Sequence, residues 1–197
     1  MQKFLRICLS AALLTLSLGW SGLAHAETAQ NYLKAKQAEL TVLVSQPPAD
    51  GDQKLKATFD DLLDYDTLAK DSLGDQWAKL SPAEQKEFQS LLMTLVQRAY
   101  TKSIRDTLAY DIEFKGESEA KAGKVVHTVA RHKTDQRKDP ITIDYLAHQV
   151  GGKWRVFDIV TEGSSLVANY KSQFKRIIDK SGFTGLVEKM KTKAAEK

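Results

Sequence analysis

From Phe88 to Leu108 apolar residues recur at spacings of three and four, through Leu91, Leu92, Leu95, Val96, Ala99, Tyr100 and Ile104. A stripe of that period held for roughly five turns is the mark of an amphipathic α-helix. Just ahead of it, Ser81-Pro82-Ala83-Glu84 reads as a capping box with proline at the first helical position, where its missing N–H costs nothing. So long a buried face needs a broad surface to lie on. The natural candidate is a sheet.

The sheet follows directly. Tyr110 to Lys115 reads as a short strand and Lys124 to Lys133 as a longer one. Ile141, Ile143, Tyr145 and Ala147 alternate with Thr142 and Asp144, the period-two pattern of a half-buried strand. Gly151-Gly152 signals a hairpin turn, and Trp154 to Val160 forms a fourth strand that is apolar on both faces. Four strands joined by short turns make an antiparallel meander. Helices are expected on both sides of it in the chain. One spans Ala29 to Ser45 with Leu33, Leu40, Leu43 and Val44 near one face, and Pro47 and Pro48 end it. A second carries Leu55, Phe59, Leu62 and Leu63, and a third runs from Tyr65 to Gly74. After Gly163 a long helix buries Leu166, Val167, Tyr170, Phe174, Ile177 and Ile178; Ser181-Gly182 stops it, and a last helix holds Leu186, Val187 and Met190. The expected fold is α+β: a curved four-stranded antiparallel sheet wrapped by about six helices.

The first 26 residues read as an export signal. Lys3 and Arg6 precede an apolar run from Ile7 to Leu18, too short for a membrane span of roughly 20 residues, and Ala24-His25-Ala26 offers a cleavage site. The expected organisation is a cleaved signal over 1–26 and a single domain over 27–197. The lone cysteine, Cys8, lies in the signal, so the remaining chain must hold its fold without disulfides. Two of the 29 basic residues and none of the 25 acidic ones lie there as well, which leaves the rest at +2. That balance, with no basic stripe interleaved with aromatics, argues against nucleic acid as a partner. Lys189, Lys191, Lys193 and Lys197 near the end read as a solvated face.

Familiar catalytic motifs are missing. There is no Gly-x-Ser-x-Gly elbow, His-Glu-x-x-His pair or phosphate-binding Gly-x-x-x-x-Gly-Lys loop. His127 and His132 stand five apart on one strand and so point to opposite faces, a poor arrangement for a shared metal; His148 is the third histidine of the mature chain. No metal and no cofactor are expected. Asp158 and Glu162 close the last strand. They could form an acid–base pair beside a tyrosine, but the simpler reading has them satisfying backbone donors at the strand-to-helix turn.

Trp154-Arg155-Val156-Phe157-Asp158-Ile159-Val160-Thr161-Glu162-Gly163-Ser164-Ser165-Leu166-Val167 resembles the W-x-V-x-D-V-x-x-E-G-x-S-L-V run of the MlaC / toluene-tolerance family of periplasmic phospholipid-binding proteins. Asn169-Tyr170-Lys171-Ser172-Gln173-Phe174 is similar to that family's N-Y-R-S-Q-F, and Gly182-Phe183-Thr184-Gly185-Leu186 to its G-x-x-G-L ending. Upstream, Leu73-Gly74-Asp75-Gln76-Trp77 and Ser81-Pro82-Ala83-Glu84-Gln85 with Phe88 look like its L-G-x-x-W and S-P-E-Q-x-x-x-F segments. Ser164 departs from the pattern, standing where a valine is common.

The resemblance implies a monomeric, non-enzymatic carrier in the periplasm. It would hold phospholipid tails in an apolar cavity, and pass its cargo between an inner-membrane ABC transporter complex and an outer-membrane lipoprotein–porin complex. Facing apolar stripes then give the expected lining: Leu73, Trp77, Phe88, Leu92, Leu95, Val96 and Tyr100 from the helices before the sheet; Ile143, Tyr145 and Val156 from the strands; and Leu166, Val167, Tyr170 and Phe174 from the helix after it. Two other readings stay open on the residues alone. A small isomerase or hydrolase would use Asp158 or Glu162, and a scaffold protein would have a filled core with no room for a chain.

Overall fold

The capping box forms as the sequence suggests. Glu84 N donates to Ser81 Oγ at 3.3 Å, and Ser81 N donates back to Glu84 Oε2 at 2.8 Å. In the computed structural model, which describes residues 27–46 and 48–196, this box starts α4 (Pro82–Ser103). Three helices precede it: α1 (Ala29–Ser45), α2 (Pro48–Leu62) and α3 (Tyr65–Leu73), with a 3-10 helix over Gly74–Lys79. A second 3-10 helix, Ile104–Ala109, leads from α4 into the strands β1 (Tyr110–Ala120), β2 (Gly123–His132), β3 (Ile141–Val150), β4 (Lys153–Thr161) and the two-residue β5 (Ser164–Ser165). Then comes α5 (Leu166–Ala195), bent at Gly182, whose φ of 69° and ψ of 176° break the helix where Ser181-Gly182 was expected to stop it. Counting its two arms separately gives six α-helices among the described residues, the number expected. The signal-peptide reading falls on 1–26, outside the described residues.

The strands form one antiparallel sheet in chain order, β1-β2-β3-β4-β5. Gly151 and Gly152 both have positive φ (59° and 80°), as a tight hairpin with right-handed strand twist requires. β1 runs on to Ala120, well past the expected Lys115, because it pairs along the whole of β2. Register shifts fall at Phe114/Gly116 and at Leu146/Ala147, and each inserts a residue that bends the sheet. The inner face carries Val126, Thr128 and Ala130 of β2, all nearly inaccessible, with Ala147 and Val156 beside them.

One expectation changes. The stripe of α4 packs against α3, α5 and α2 and not flat on the sheet. Phe88, Leu92 and Val96 are fully buried among Leu68, Leu73, Phe174, Leu186 and Met190. Helical periodicity reports that a face is covered; it does not say by what.

The helical layer is tied to the sheet at the α2–α3 junction. Leu63 bridges Val156, and Asp64 N donates to Val156 O at 2.8 Å. Asp64 also caps α3, accepting from Asp66 N and Thr67 N, and takes a 2.7 Å contact from His148 Nε2 on β3. Burial alone would raise its carboxyl. The hydrogen bonds from Thr67 and His148 outweigh that and hold it below the ordinary carboxylate range. A folded pKa below the unfolded one adds stability that is present above the unfolded value near 3.8 and is lost as pH falls through the lower folded value. Asp64→Asn should therefore flatten the acid side of a stability–pH curve below about pH 4. Urea unfolding at a series of pH values checks this; an unchanged acid limb would show that Asp64 is not the anchor described.

Candidate functional site

Between α1, α2 and the sheet lies a cavity of about 260 Å³. The apolar face of α1 supplies Leu33, Leu40 and Val44, and the end of α2 adds Phe59, Leu62 and Leu63. The opposite wall comes from Ile112 and Phe114 of β1, Ile143 and Tyr145 of β3 and Ile159 of β4, all sharing the inner face by strand alternation. Tyr100 closes one side from the end of α4, its ring 5.1 Å from that of Phe59. Polar lining is sparse: Gln37, Thr41, Thr107 and Thr161 beside the two tyrosines.

Thr41, Thr107 and Thr161 are exposed, which places the mouth between α1, the turn after α4 and the end of β4. Arg105 on that turn donates to Val44 O at 3.2 Å, holding the C-terminal end of α1 beside the opening. Such a chamber, apolar within and hydroxylated at its rim, suits a molecule with a long apolar part and a polar end. At the other end of the sheet an open cleft lies between Tyr32, Lys36, Asp61, Lys153 and Trp154. Its charges are spent on one another, Lys36 on Asp61 at 2.9 Å and on Glu39 at 3.2 Å.

Of the residues expected to line a pocket, Tyr100, Ile143 and Tyr145 face this cavity. Leu73, Phe88, Leu92, Val96, Val156 and Phe174 lie in the packed core, and Trp77, Leu95, Leu166, Val167 and Tyr170 are partly buried against it. Many of these converge on one seam, where Phe88 meets Phe174 edge-on at 5.4 Å and Tyr170 stacks on Phe174 at 5.3 Å. The lining from α1, α2 and β1 was not singled out from sequence, although Leu33, Leu40, Val44, Phe59, Leu62 and Leu63 were read as buried helix faces.

Asp158 is buried and fully engaged. One carboxylate oxygen accepts from Ile159 N at 2.8 Å and from Val167 N at 3.0 Å; the other accepts from Ser165 Oγ at 2.6 Å. It thus pins the start of α5 to β4 while Ser165 caps that helix through Ala168 N. Glu162, exposed and at φ 50°, accepts from the backbone and hydroxyl of Thr142. Neither carboxylate lines the cavity, and their oxygens hold the strand-to-helix turn together. The histidines are engaged separately: His127 with Asp144 and Ser118, His148 with Asp64, and His132 with the backbone of Asp135. Among the described residues no group of His, Cys, Asp or Glu is placed to hold a metal ion.

Comparison with known proteins points one way. The sequence model of the family described as MlaC protein matches residues 27–192. Among solved structures, a phospholipid-binding protein from Ralstonia solanacearum, determined in complex with a phospholipid, aligns with a TM-score of 0.73. The two share 22% identity over 86% of this chain and 98% of that one, and so they share the fold. No curated protein sequence matches.

The structural role of Asp158 has a direct test. In Asp158→Asn an amide N–H₂ would face one of its donors, and the variant should lose about 2–3 kcal/mol of stability. Chemical unfolding measures it; full stability in the variant would show that Asp158 does not hold the strand-to-helix junction as described.

Proposed function

Since this chain belongs to the MlaC family, we propose that it is a periplasmic phospholipid carrier that encloses acyl tails in the α1–α2–sheet cavity and leaves the headgroup at the threonine rim. The observation that carries this reading is the apolar chamber with a hydroxylated mouth. Two acyl tails hold about 30 methylenes, and at ~0.8 kcal/mol each their exposure to water would cost on the order of 20 kcal/mol. A soluble shuttle must cover them. Among the described residues no helix is long and apolar enough to cross a membrane.

On this reading residues 1–26 are a cleaved export signal, and 27–197 act as one lipid-binding domain working as a monomer. Cargo passes between an inner-membrane ABC transporter complex and an outer-membrane lipoprotein–porin complex. The chamber is small for two tails. A methylene fills about as much space as a water, roughly 30 Å³, so about nine fit in the volume described. Loading therefore requires the walls to part, with α1 and α2 standing further off the sheet than they do here.

Native mass spectrometry on protein purified gently from a bacterial periplasm tests the proposal. The expected result is phospholipid bound in fixed stoichiometry. A clean unliganded mass, with no uptake from phospholipid vesicles, would reject it in favour of a scaffold. Leu40→Asp places a charge in the lining and should abolish retention while the domain still folds. Val42→Asp on the same helix, at a position 59% exposed, should leave retention intact. By contrast Leu92→Ala, at 1% exposure in the seam, should cost about 2–5 kcal/mol of stability. Equal retention in the Leu40 and Val42 variants would move the tails elsewhere.

A further inference from the structure

Two phenol side chains stand in the apolar wall of the cavity, Tyr100 from α4 and Tyr145 from β3. Outside the cavity, Tyr32 donates to Asp61 O at 3.3 Å and Trp154 Nε1 to Glu27 O at 2.7 Å. The cavity tyrosines differ. Both residues line the chamber, and among the described residues neither hydroxyl makes a hydrogen bond. The hydroxyl of Ser72 and Gln30 Oε1 also lack partners, but they are sealed in packed protein, outside the cavity lining.

A hydroxyl enclosed without a partner destabilises the empty protein. A wall meant for tails alone would carry phenylalanine, as it does at Phe59 and Phe114. Burial pushes the Tyr145 phenol up to about 12, and burial together with the neighbouring hydroxyls of Tyr145, Tyr170 and Tyr65 and the Asp158 carboxylate pushes that of Tyr100 up as well. Both are therefore neutral O–H donors in want of an acceptor. A headgroup phosphate belongs at the wet rim, and the tails offer no acceptor. The acceptors of a phospholipid that can follow the tails inside are its two ester carbonyls.

The depth agrees. Ile143 is paired with the rim residue Thr161, and Tyr145 lies two residues further in, about 7 Å along the strand. A phosphate at the threonines and esters at the tyrosines would be spaced as a glycerol backbone spaces them. We propose that Tyr100 and Tyr145 donate hydrogen bonds to the ester carbonyls of bound phospholipid. They fix how deep the cargo sits and favour ester-linked over ether-linked lipid. This assignment rests on the carrier reading above.

A competition experiment separates the two. Mature protein is offered vesicles holding equal amounts of a diacyl-ester phospholipid and a dialkyl-ether phospholipid of the same headgroup and chain length. Bound lipid is counted by native mass spectrometry. The expected result is a preference of about tenfold for the ester in the wild type, falling to near parity in the Tyr100→Phe/Tyr145→Phe double variant. The double variant without lipid should melt no lower than the wild type, which a merely structural role for the hydroxyls would not allow. Equal uptake of both lipids by the wild type, or an undiminished preference in the double variant, would overturn the assignment and leave the carrier reading standing. Uptake of neither lipid would overturn both.

Discussion

Phe88 has no accessible surface, and its ring lies against Phe174 at 5.4 Å and Phe183 at 6.2 Å. Around it Leu92 and Val96 of α4 meet Leu68 and Leu73 of α3 and Leu186 and Met190 of α5. This aromatic and aliphatic seam is where the molecule is solid. A hollow costs free energy, since atoms lining it lose dispersion partners and the surrounding structure relaxes only partly. A domain of this size without disulfides can keep a chamber open only if enough apolar surface is buried elsewhere. The seam does that, and it leaves α1 and α2 free to stand over a space instead of filling it.

The chamber also needs its walls held in place by something other than mutual packing. Two junctions supply this. At one, Asp64 caps α3, bonds to His148 and hands its own N–H to Val156, so the turn between α2 and α3 is fixed to the sheet. At the other, Asp158 gathers Ile159 N, Val167 N and Ser165 Oγ, fixing the start of α5 to β4. Both use a carboxylate set among N–H and O–H donors, an arrangement with directional preference that apolar contacts lack. The same chemistry that could have marked an active site is here spent on architecture.

Much of this was legible in the residues. Ser81 to Glu84 announced its capping box, Gly151-Gly152 its hairpin, and Gly182 its helix break, because each is a local backbone requirement that few residue types meet. The α+β meander followed from period-two alternation in β3. Less legible was what each buried face touches. The α4 stripe was expected against the sheet and lies among helices; Leu33, Leu40 and Phe59 belonged to recognised apolar faces, yet nothing in their spacing separates a wall of a cavity from a wall of a core. Tyr100, Ile143 and Tyr145 were named with eleven others from facing apolar stripes, and nothing in the residues themselves set these three apart: Tyr170, with the same hydroxyl, lies outside the lining.

That distinction bears on how a carrier can work. Lipid leaves a bilayer for a protein only if the two environments are closely matched, and a much tighter grip would prevent delivery. On the proposed reading the chamber is smaller than two tails require, so part of the apolar gain on loading would be offset by the work of separating α1 and α2 from the sheet. Affinity is then set by the difference between tail burial and wall opening, and a change in either shifts it. Partners that touch α1 near the mouth, where Arg105 holds Val44 O, would act on the opening term alone. A contact that favours the open form lowers the cost of loading and would raise affinity without touching the lipid, and one that favours the closed walls would promote release.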